Sequence, residues 1–282
     1  MILFKTAEGI EQKLRALKNE KRSIGFVPTM GALHNGHISL IALSKKQNDI
    51  TVCSIFVNPV QFNDVADFNK YPVTVEKDIL LLEENKTDIL FLPSVDEIYP
   101  SGTENLPHYN LGFIETILEG KYRPGHFQGV CEVVQRLLSI IQPENLYLGQ
   151  KDYQQCMVLK KMIDLLELKT KLNISPTLRE ITGLAMSSRN MRLNENDKIK
   201  ATAIYQSLLF IKQNIQTKNF ETLKKEAAEM LLQNGFEKID YVEIAEAATL
   251  SPTTNRDEKT KLVALIAAFI NGVRLIDNMV IG

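Results

Sequence analysis

The sequence predicts an α/β protein, with a doubly wound parallel sheet in its first part and a smaller α+β domain behind it. Three features support this. Up to Ser175, short apolar runs alternate with helical patterns; beyond it, polar helical stretches precede strand-like runs; and Asn271-Gly272 separates the last two of those runs.

The apolar runs are residues 24–27, 50–57, 89–92 and 146–148, short and continuous, as expected of strands buried on both faces of a parallel sheet. After Gly129, residues Val130, Val133, Val134, Leu137, Leu138 and Ile141 share one helical face and Pro143 ends the run. Residues 153–166 give another helix. Strands alternating with helices form an open α/β sheet, whose ligands bind beyond the carboxyl ends of the strands. The loops after the strands therefore carry the functional information.

Past Ser175, residues 195–217 and 220–233 are expected to be helices, and residues 241–244, 262–270 and 273–280 strands. Asn271-Gly272 suits the positive φ angles of a tight hairpin, which makes this second sheet antiparallel. A chain of 282 residues, at roughly 150 residues per domain, divides naturally into two domains, placed here at 1–175 and 176–282.

With 44% apolar and 24% charged residues the composition is that of a soluble globular protein. Lys plus Arg number 33 against 34 for Asp plus Glu, a net charge of -1. Such a balance supplies no general field for nucleic acid or anionic membranes, so neither is an expected partner and any phosphate must be captured locally. The amino-terminal residues show no long apolar stretch behind a basic start. The longest strongly apolar run, 262–270, is too short to span a bilayer, so a cytoplasmic protein is expected. Cys53, Cys131 and Cys156 are odd in number, widely spaced and set among apolar neighbours, the pattern of reduced core thiols.

The first strand runs into Pro28-Thr29-Met30-Gly31-Ala32-Leu33-His34-Asn35-Gly36-His37, after which Ile38, Ile41 and Ala42 begin a helix. A helix N-terminus offers unpaired N–H groups and partial positive charge. Gly31 and Gly36 allow close backbone approach, and two imidazoles three residues apart fall on one helical face, able to donate to phosphate oxygens. Partly exposed histidines at a helix start, or a zinc pair, fit this segment equally well. Zinc would need further ligands, and the other histidines, His108 and His126, are far away in sequence.

The second strand ends in Phe56-Val57-Asn58-Pro59-Val60-Gln61-Phe62, where Pro59 fixes the loop. The Gln61 amide suits a carboxylate or hydroxyl ligand, because a neutral group positions a carboxylate without blunting its nucleophilicity in an ion pair. An ordinary surface glutamine is the alternative. The fourth strand leads into Gly149-Gln150-Lys151-Asp152-Tyr153-Gln154-Gln155. Lys151 can hold phosphate charge or be a solvated lysine; Asp152 can cap the helix or meet a ribose hydroxyl; Gln155 lies one turn along. Gly183-Leu184-Ala185-Met186-Ser187-Ser188-Arg189-Asn190 places two hydroxyls and a guanidinium in a loop that can close on a triphosphate or serve as a plain linker.

Taken together, these segments and Tyr122-Arg123-Pro124-Gly125-His126-Phe127 closely resemble, in order and approximate spacing, the pantothenate synthetase (pantoate–β-alanine ligase) family of the His-x-Gly-His nucleotidyltransferases. The resemblance covers nearly the whole chain. It implies a Rossmann-like first domain and a two-step ligation: pantoate attacks the α-phosphate of Mg-ATP to give pantoyl adenylate and pyrophosphate, and β-alanine then displaces AMP. It also implies a homodimer.

Residue by residue, the resemblance places Met30, Gly31, Ala32, Leu33, His34, Asn35, Gly36 and His37 around ATP, with His37 the proton-donating catalytic residue and His34 beside it. Gln61 would contact pantoate and β-alanine, and Gln155 pantoate. Gly149, Gln150, Lys151 and Asp152 would hold the nucleotide, with Lys151 on the phosphates; Leu178 would lie against adenine; Met186, Ser187, Ser188 and Arg189 would close over the triphosphate. Asp78, Arg123 and His126 are further candidates, and no Mg²⁺ ligand is assigned.

Val73 stands where the family commonly has Arg, and Ala185 and Ser188 stand where the related synthetase loop has lysines, leaving Lys151 and Arg189 as the cations. Two rival readings are a nucleotidylyltransferase acting on a phosphorylated acceptor and a regulatory protein that binds ATP without turnover. The first would need a second anion site; the second would release no AMP.

Overall fold

The computed structural model describes residues 1–62, 68–69, 71–104, 106–253 and 259–282. Internal contacts divide the chain into two compact units: Met1–Gly149 with Val158–Ser175, and Gln150–Met157 with Pro176–Gly282. Residues 150–157 thus group with the carboxyl-terminal unit rather than with the strand that precedes them.

The first unit is built on six parallel strands: β1 (Ile2–Phe4), β2 (Ile24–Thr29), β3 (Ile50–Ile55), β4 (Ile89–Phe91), β5 (Asn145–Gly149) and β6 (Lys171–Ser175). Their order is β1-β4-β3-β2-β5-β6. From β2 the chain steps outward through β3 and β4, then returns to the other side of β2 with β5 and β6. The order therefore reverses between β2 and β5, where open α/β sheets bind ligands. This is the doubly wound parallel sheet expected from the sequence. β1 and β6 were not expected: both are edge strands, β1 largely exposed and β6 mixed in polarity, and an edge strand need not be apolar throughout.

The continuous apolar character of the central strands has a direct cause. Val27, Cys53, Leu90 and Tyr147 pack with Leu40 and Ile41 of the helix Asn35–Gln47 and Leu82 of the helix Val75–Glu84. Alternation sends Phe26, Val52 and Leu146 to the opposite face, where they too are buried. Gly25 sets how closely the helix Asn35–Gln47 lies on β2: a Cβ there would stand 2.2 Å from Ser44 Oγ and 2.5 Å from Asn48 Nδ2. Asn48 in turn donates to Ser44 O at 2.9 Å and Tyr147 Oη at 2.7 Å. These contacts fix the helix whose amino end meets the loop after β2.

The helix expected after Gly129 begins earlier and spans His126–Ile141. Gly129 lies inside it because a Cβ there would come within 2.7 Å of Val60 O. The glycine thus marks close approach of the loop after β3 rather than a helix start.

In the second unit, β7 (Lys238–Glu246), β8 (Leu262–Ile270) and β9 (Val273–Ile281) form an antiparallel sheet in that order. Asn271 and Gly272 turn between β8 and β9 with φ of 48° and 67°. Helices Ala203–Asn214 and Phe220–Gln233 supply Ile204, Leu208, Ile211, Leu223, Ala227 and Leu231 to a core shared with Ile244, Ala264, Ile266, Ala268 and Leu275. The single helix expected over 195–217 is two, Glu195–Ala201 and Ala203–Asn214. They part at Thr202, whose hydroxyl donates to Ile199 O at 2.7 Å, a local side-chain bond of the kind that competes with the helical ladder.

Candidate active site

β2 ends at Thr29, and the next residues leave the strand in left-handed conformations, Gly31 at φ 82° and Ala32 at φ 47°. For alanine that conformation costs roughly 1–2 kcal/mol. It is held by Asp78, 2% exposed, on the helix Val75–Glu84. Ala32 N donates to Asp78 Oδ2 at 2.9 Å, Leu33 N to Asp78 Oδ1 at 2.8 Å, and Thr74 Oγ1 to Asp78 Oδ1 at 3.1 Å. Hydrogen bonds to a charged group contribute about 1.5–3 kcal/mol each, so the carboxylate outweighs the backbone cost. These two loop N–H groups are therefore spoken for within the protein.

The two histidines lie side by side at the helix start, as their spacing leads one to expect, and the structure adds how they are held. His34 is the extended N-cap of the helix Asn35–Gln47, and its Nδ1 accepts from Gly36 N at 3.1 Å; His37 lies in the first turn, and its Nδ1 accepts from His34 N at 3.3 Å. The two imidazoles thus form a reciprocal capping box, with ring centroids 4.1 Å apart. A neutral imidazole that accepts at Nδ1 carries its proton on Nε2. The caps therefore set both tautomers, and each ring has an Nε2–H donor at the positive end of a helix dipole.

Gln61, 9% exposed, is a buried residue and not a surface glutamine. It closes a single 3-10 turn, Pro59–Gln61, begun by Asn58, whose side chain accepts from Val60 N at 3.2 Å. Asn58 Nδ2 donates to Gly129 O at 3.0 Å and Gln61 Oε1 at 3.3 Å, and Tyr99 Oη donates to Asn58 Oδ1 at 2.9 Å. This network orients the Gln61 amide, leaving Nε2 against Met30 Sδ at 3.1 Å. A thioether is a weak acceptor, so a ligand oxygen would gain by replacing it.

His126 braces the same turn. Arg123 has only donors, so its contact at 3.0 Å makes His126 Nε2 an acceptor and Nδ1–H the donor to Gln61 O at 2.8 Å. Glu119 lies 3.8 Å from Arg123. Met30, His34, His37, Gln61, Asp78, Arg123 and His126 are thus connected through the loops after β2 and β3. Arg123, His126 and Asp78 hold backbone or neighbouring side chains there.

In the second unit, Gln150, Lys151 and Asp152 form a 3-10 turn leading into the helix Tyr153–Leu165, with Gln155 half-buried in its first turn. The Lys151 side chain is 16% exposed, its Nζ 3.8 Å from Asp152 Oδ2. Leu178 opens a hairpin closed by Met186 N donating to Leu178 O at 3.0 Å; its own side chain is exposed. Gly183 has φ 93°, and a Cβ there would meet the Tyr205 ring at 2.4 Å. Arg179 stacks on that ring with its guanidinium 4.1 Å from the centroid and pairs through two nitrogens with buried Asp277, the Nη2–Oδ1 distance being 3.0 Å.

Beyond the hairpin, Ser187 caps a 3-10 turn over Ser188–Arg192, its Oγ accepting from Arg189 N at 3.2 Å. Asn190 ties this turn back through Nδ2 to Ala185 O at 3.0 Å and Glu180 Oε1 at 3.2 Å. Asn58 and Asn190 escaped the sequence reading as site residues. Their signal was present, an asparagine inside a motif already singled out, but only the fold reveals their partners.

The three cysteines are buried and form no disulfide with one another. Loss of hydration pushes the Cys53 and Cys131 thiols up to about 12 and Cys156 further in the same direction. They are core side chains. No described helix is long and apolar enough to cross a membrane.

A profile of pantoate-beta-alanine ligases matches residues 2–280 of the chain. A pantothenate synthetase of Cytophaga hutchinsonii is 44% identical over 283 residues, covering 100% of this chain and 99% of that protein. The crystal structure of pantothenate synthetase from Thermus thermophilus superimposes with a TM-score of 0.91 at 36% identity, covering 99% of each chain. That of pantoate-beta-alanine ligase from Francisella tularensis, complexed with beta-gamma ATP and beta-alanine, gives 0.81 at 40% identity, covering 99% of this chain and 97% of that one.

Proposed function

Because this chain belongs to the pantoate-beta-alanine ligase family, we propose that it joins pantoate to β-alanine in an ATP-dependent reaction and that the groups described above divide the work. The pantoate carboxylate oxygen attacks the α-phosphorus of ATP. The bond to the bridging oxygen breaks, and pyrophosphate leaves with that electron pair. The β-alanine amine then adds to the acyl carbon of pantoyl adenylate, AMP departs, and the amine's proton is lost to solvent as the amide forms.

The observation that carries this reading is the reciprocal imidazole cap, together with the oriented amide of Gln61, which contacts Met30 in the loop that leads to it. His37 and His34 aim Nε2–H donors, fixed before substrate arrives, at charge that grows on the departing pyrophosphate. Met30, Gly31, Ala32, Leu33, Asn35 and Gly36 shape that loop around the nucleotide. Lys151 supplies a compact positive charge to the phosphates; Gly149, Gln150 and Asp152 line the nucleotide beside it; Leu178 lies against the base; Met186, Ser187, Ser188 and Arg189 cover the triphosphate. Gln61 and Gln155 hold the acid through neutral amides, which leave its carboxylate nucleophilic.

Mg²⁺ enters with ATP as part of the substrate, held mainly by phosphate and water oxygens. Asp78, the buried carboxylate at this loop, already accepts from two loop N–H groups. The enzyme is assigned to the cytoplasm, in keeping with three buried cysteines that form no disulfide, and to a homodimeric state that light scattering would check. Pyrophosphate–ATP exchange tests the chemistry. It should require pantoate and proceed without β-alanine; exchange seen only with a phosphorylated acceptor, or none at all, would overturn the reading.

A further inference from the structure

β9 carries an anomaly. Besides Arg274 near its start, the strand is apolar except for Asp277 and Asn278, which are adjacent, polar and buried, Asn278 at 2% exposure. Burying an amide without hydrogen bonds costs several kcal/mol at worst, and such groups persist only where their bonds are made. The Asn278 amide directs its side-chain bonds to one place. Its Nδ2 donates to Gln150 O and to Lys151 O, both at 2.8 Å, and its Oδ1 accepts from Gln150 Nε2 at 3.1 Å. Two donor hydrogens serve two consecutive carbonyls, which fixes the 3-10 turn Gln150–Asp152 and with it the direction in which Lys151 leaves the backbone.

Among the described residues β9 pairs with β8 along one edge only, so this turn rests on an edge strand. If the amide served packing alone, an aliphatic residue would fill the position without needing partners.

We infer that Asn278 is a positioning residue for Lys151, acting through the two backbone carbonyls of the Gln150–Lys151 turn. The inference rests on the proposed role of Lys151 at the phosphates. Asn278→Asp keeps the size of the side chain, but its carboxylate cannot donate to two carbonyl oxygens. Asn278→Ser is smaller and neutral, and keeps a single donor.

Pantoate-dependent pyrophosphate–ATP exchange is measured for both variants, for Lys151→Ala, and for each double variant, with circular dichroism confirming folding at the assay temperature. A displaced phosphate-binding group should slow exchange by about 10- to 100-fold in N278D, and by less in N278S. In the K151A background either change should cost no more than about twofold further, because residues acting through one group do not add. A folded N278D with wild-type exchange, or losses that multiply in the double variants, would overturn the inference while leaving Lys151 in place. Wild-type exchange by K151A would remove both. Should one variant fail to fold, the other carries the comparison.

Discussion

Replacing Asp78 by asparagine probes the loop after β2 most sharply. The carboxylate accepts from Ala32 N at 2.9 Å, Leu33 N at 2.8 Å and Thr74 Oγ1 at 3.1 Å. Asparagine retains one acceptor oxygen and turns an NH₂ group toward the other backbone N–H, so one buried donor faces another. An orphaned buried N–H costs about 1–3 kcal/mol, and the remaining bond loses its charge assistance. The left-handed Ala32, at φ 47°, then also lacks its compensation. We expect Asp78→Asn to destabilise the fold by about 2–4 kcal/mol, read from urea unfolding.

If the loop instead relaxes to satisfy the stranded donor, stability is partly recovered and the His34 cap shifts, so the loss moves to activity. Pyrophosphate–ATP exchange would then fall by on the order of 10²-fold. Stability within about 0.5 kcal/mol of wild type, combined with exchange within about threefold, would refute the claim that this carboxylate holds the loop.

Other outcomes follow from the same geometry. His37→Ala and Lys151→Ala should each slow adenylation by on the order of 10²–10³, and single-turnover rates within about threefold of wild type would remove either residue from the mechanism. Gln61→Ala should weaken discrimination against acids lacking a 2-hydroxyl, because a buried hydrogen-bonding group rejects analogues that leave it unpaired; unchanged selectivity would reduce Gln61 to a loop former. Gly25→Ala should destabilise by about 1–3 kcal/mol through overpacking against Ser44 and Asn48, and an unchanged denaturation midpoint would contradict the close helix–strand approach.

The thiols give a pH test. With Cys53 and Cys131 raised to about 12, their thiolate fraction at pH 8 is on the order of 10⁻⁴, rising tenfold per pH unit, whereas an ordinary thiol is mostly ionised by about pH 9.5. Mass spectrometry after iodoacetamide treatment should find both unmodified in the folded protein at pH 8 and modified in urea; labelling of the folded protein would contradict their burial.

The sequence determined most of what repeats along the chain. Continuous apolar runs gave the central strands because both faces of that sheet are covered, and Asn271-Gly272 gave the hairpin because few residues adopt positive φ there. It also pointed to the loops after the parallel strands, where ligands bind in such sheets, and the structure places His34, His37, Gln61 and Lys151 at the segments that follow β2, β3 and β5.

Only the tertiary structure decided how those side chains are held. The two imidazoles are a mutual cap with Nδ1 turned inward, a choice of rotamer and tautomer that spacing alone leaves open. Gln61 is oriented by Asn58 and braced by His126, 65 residues away. Asp78 reaches back 46 residues to Ala32, and Asn278 spans 128 to Gln150. Local periodicity reports which face of an element is buried. It carries no record of which distant donor meets which acceptor, because that pairing exists only once the sheet order and the β9 edge have brought them within 3 Å.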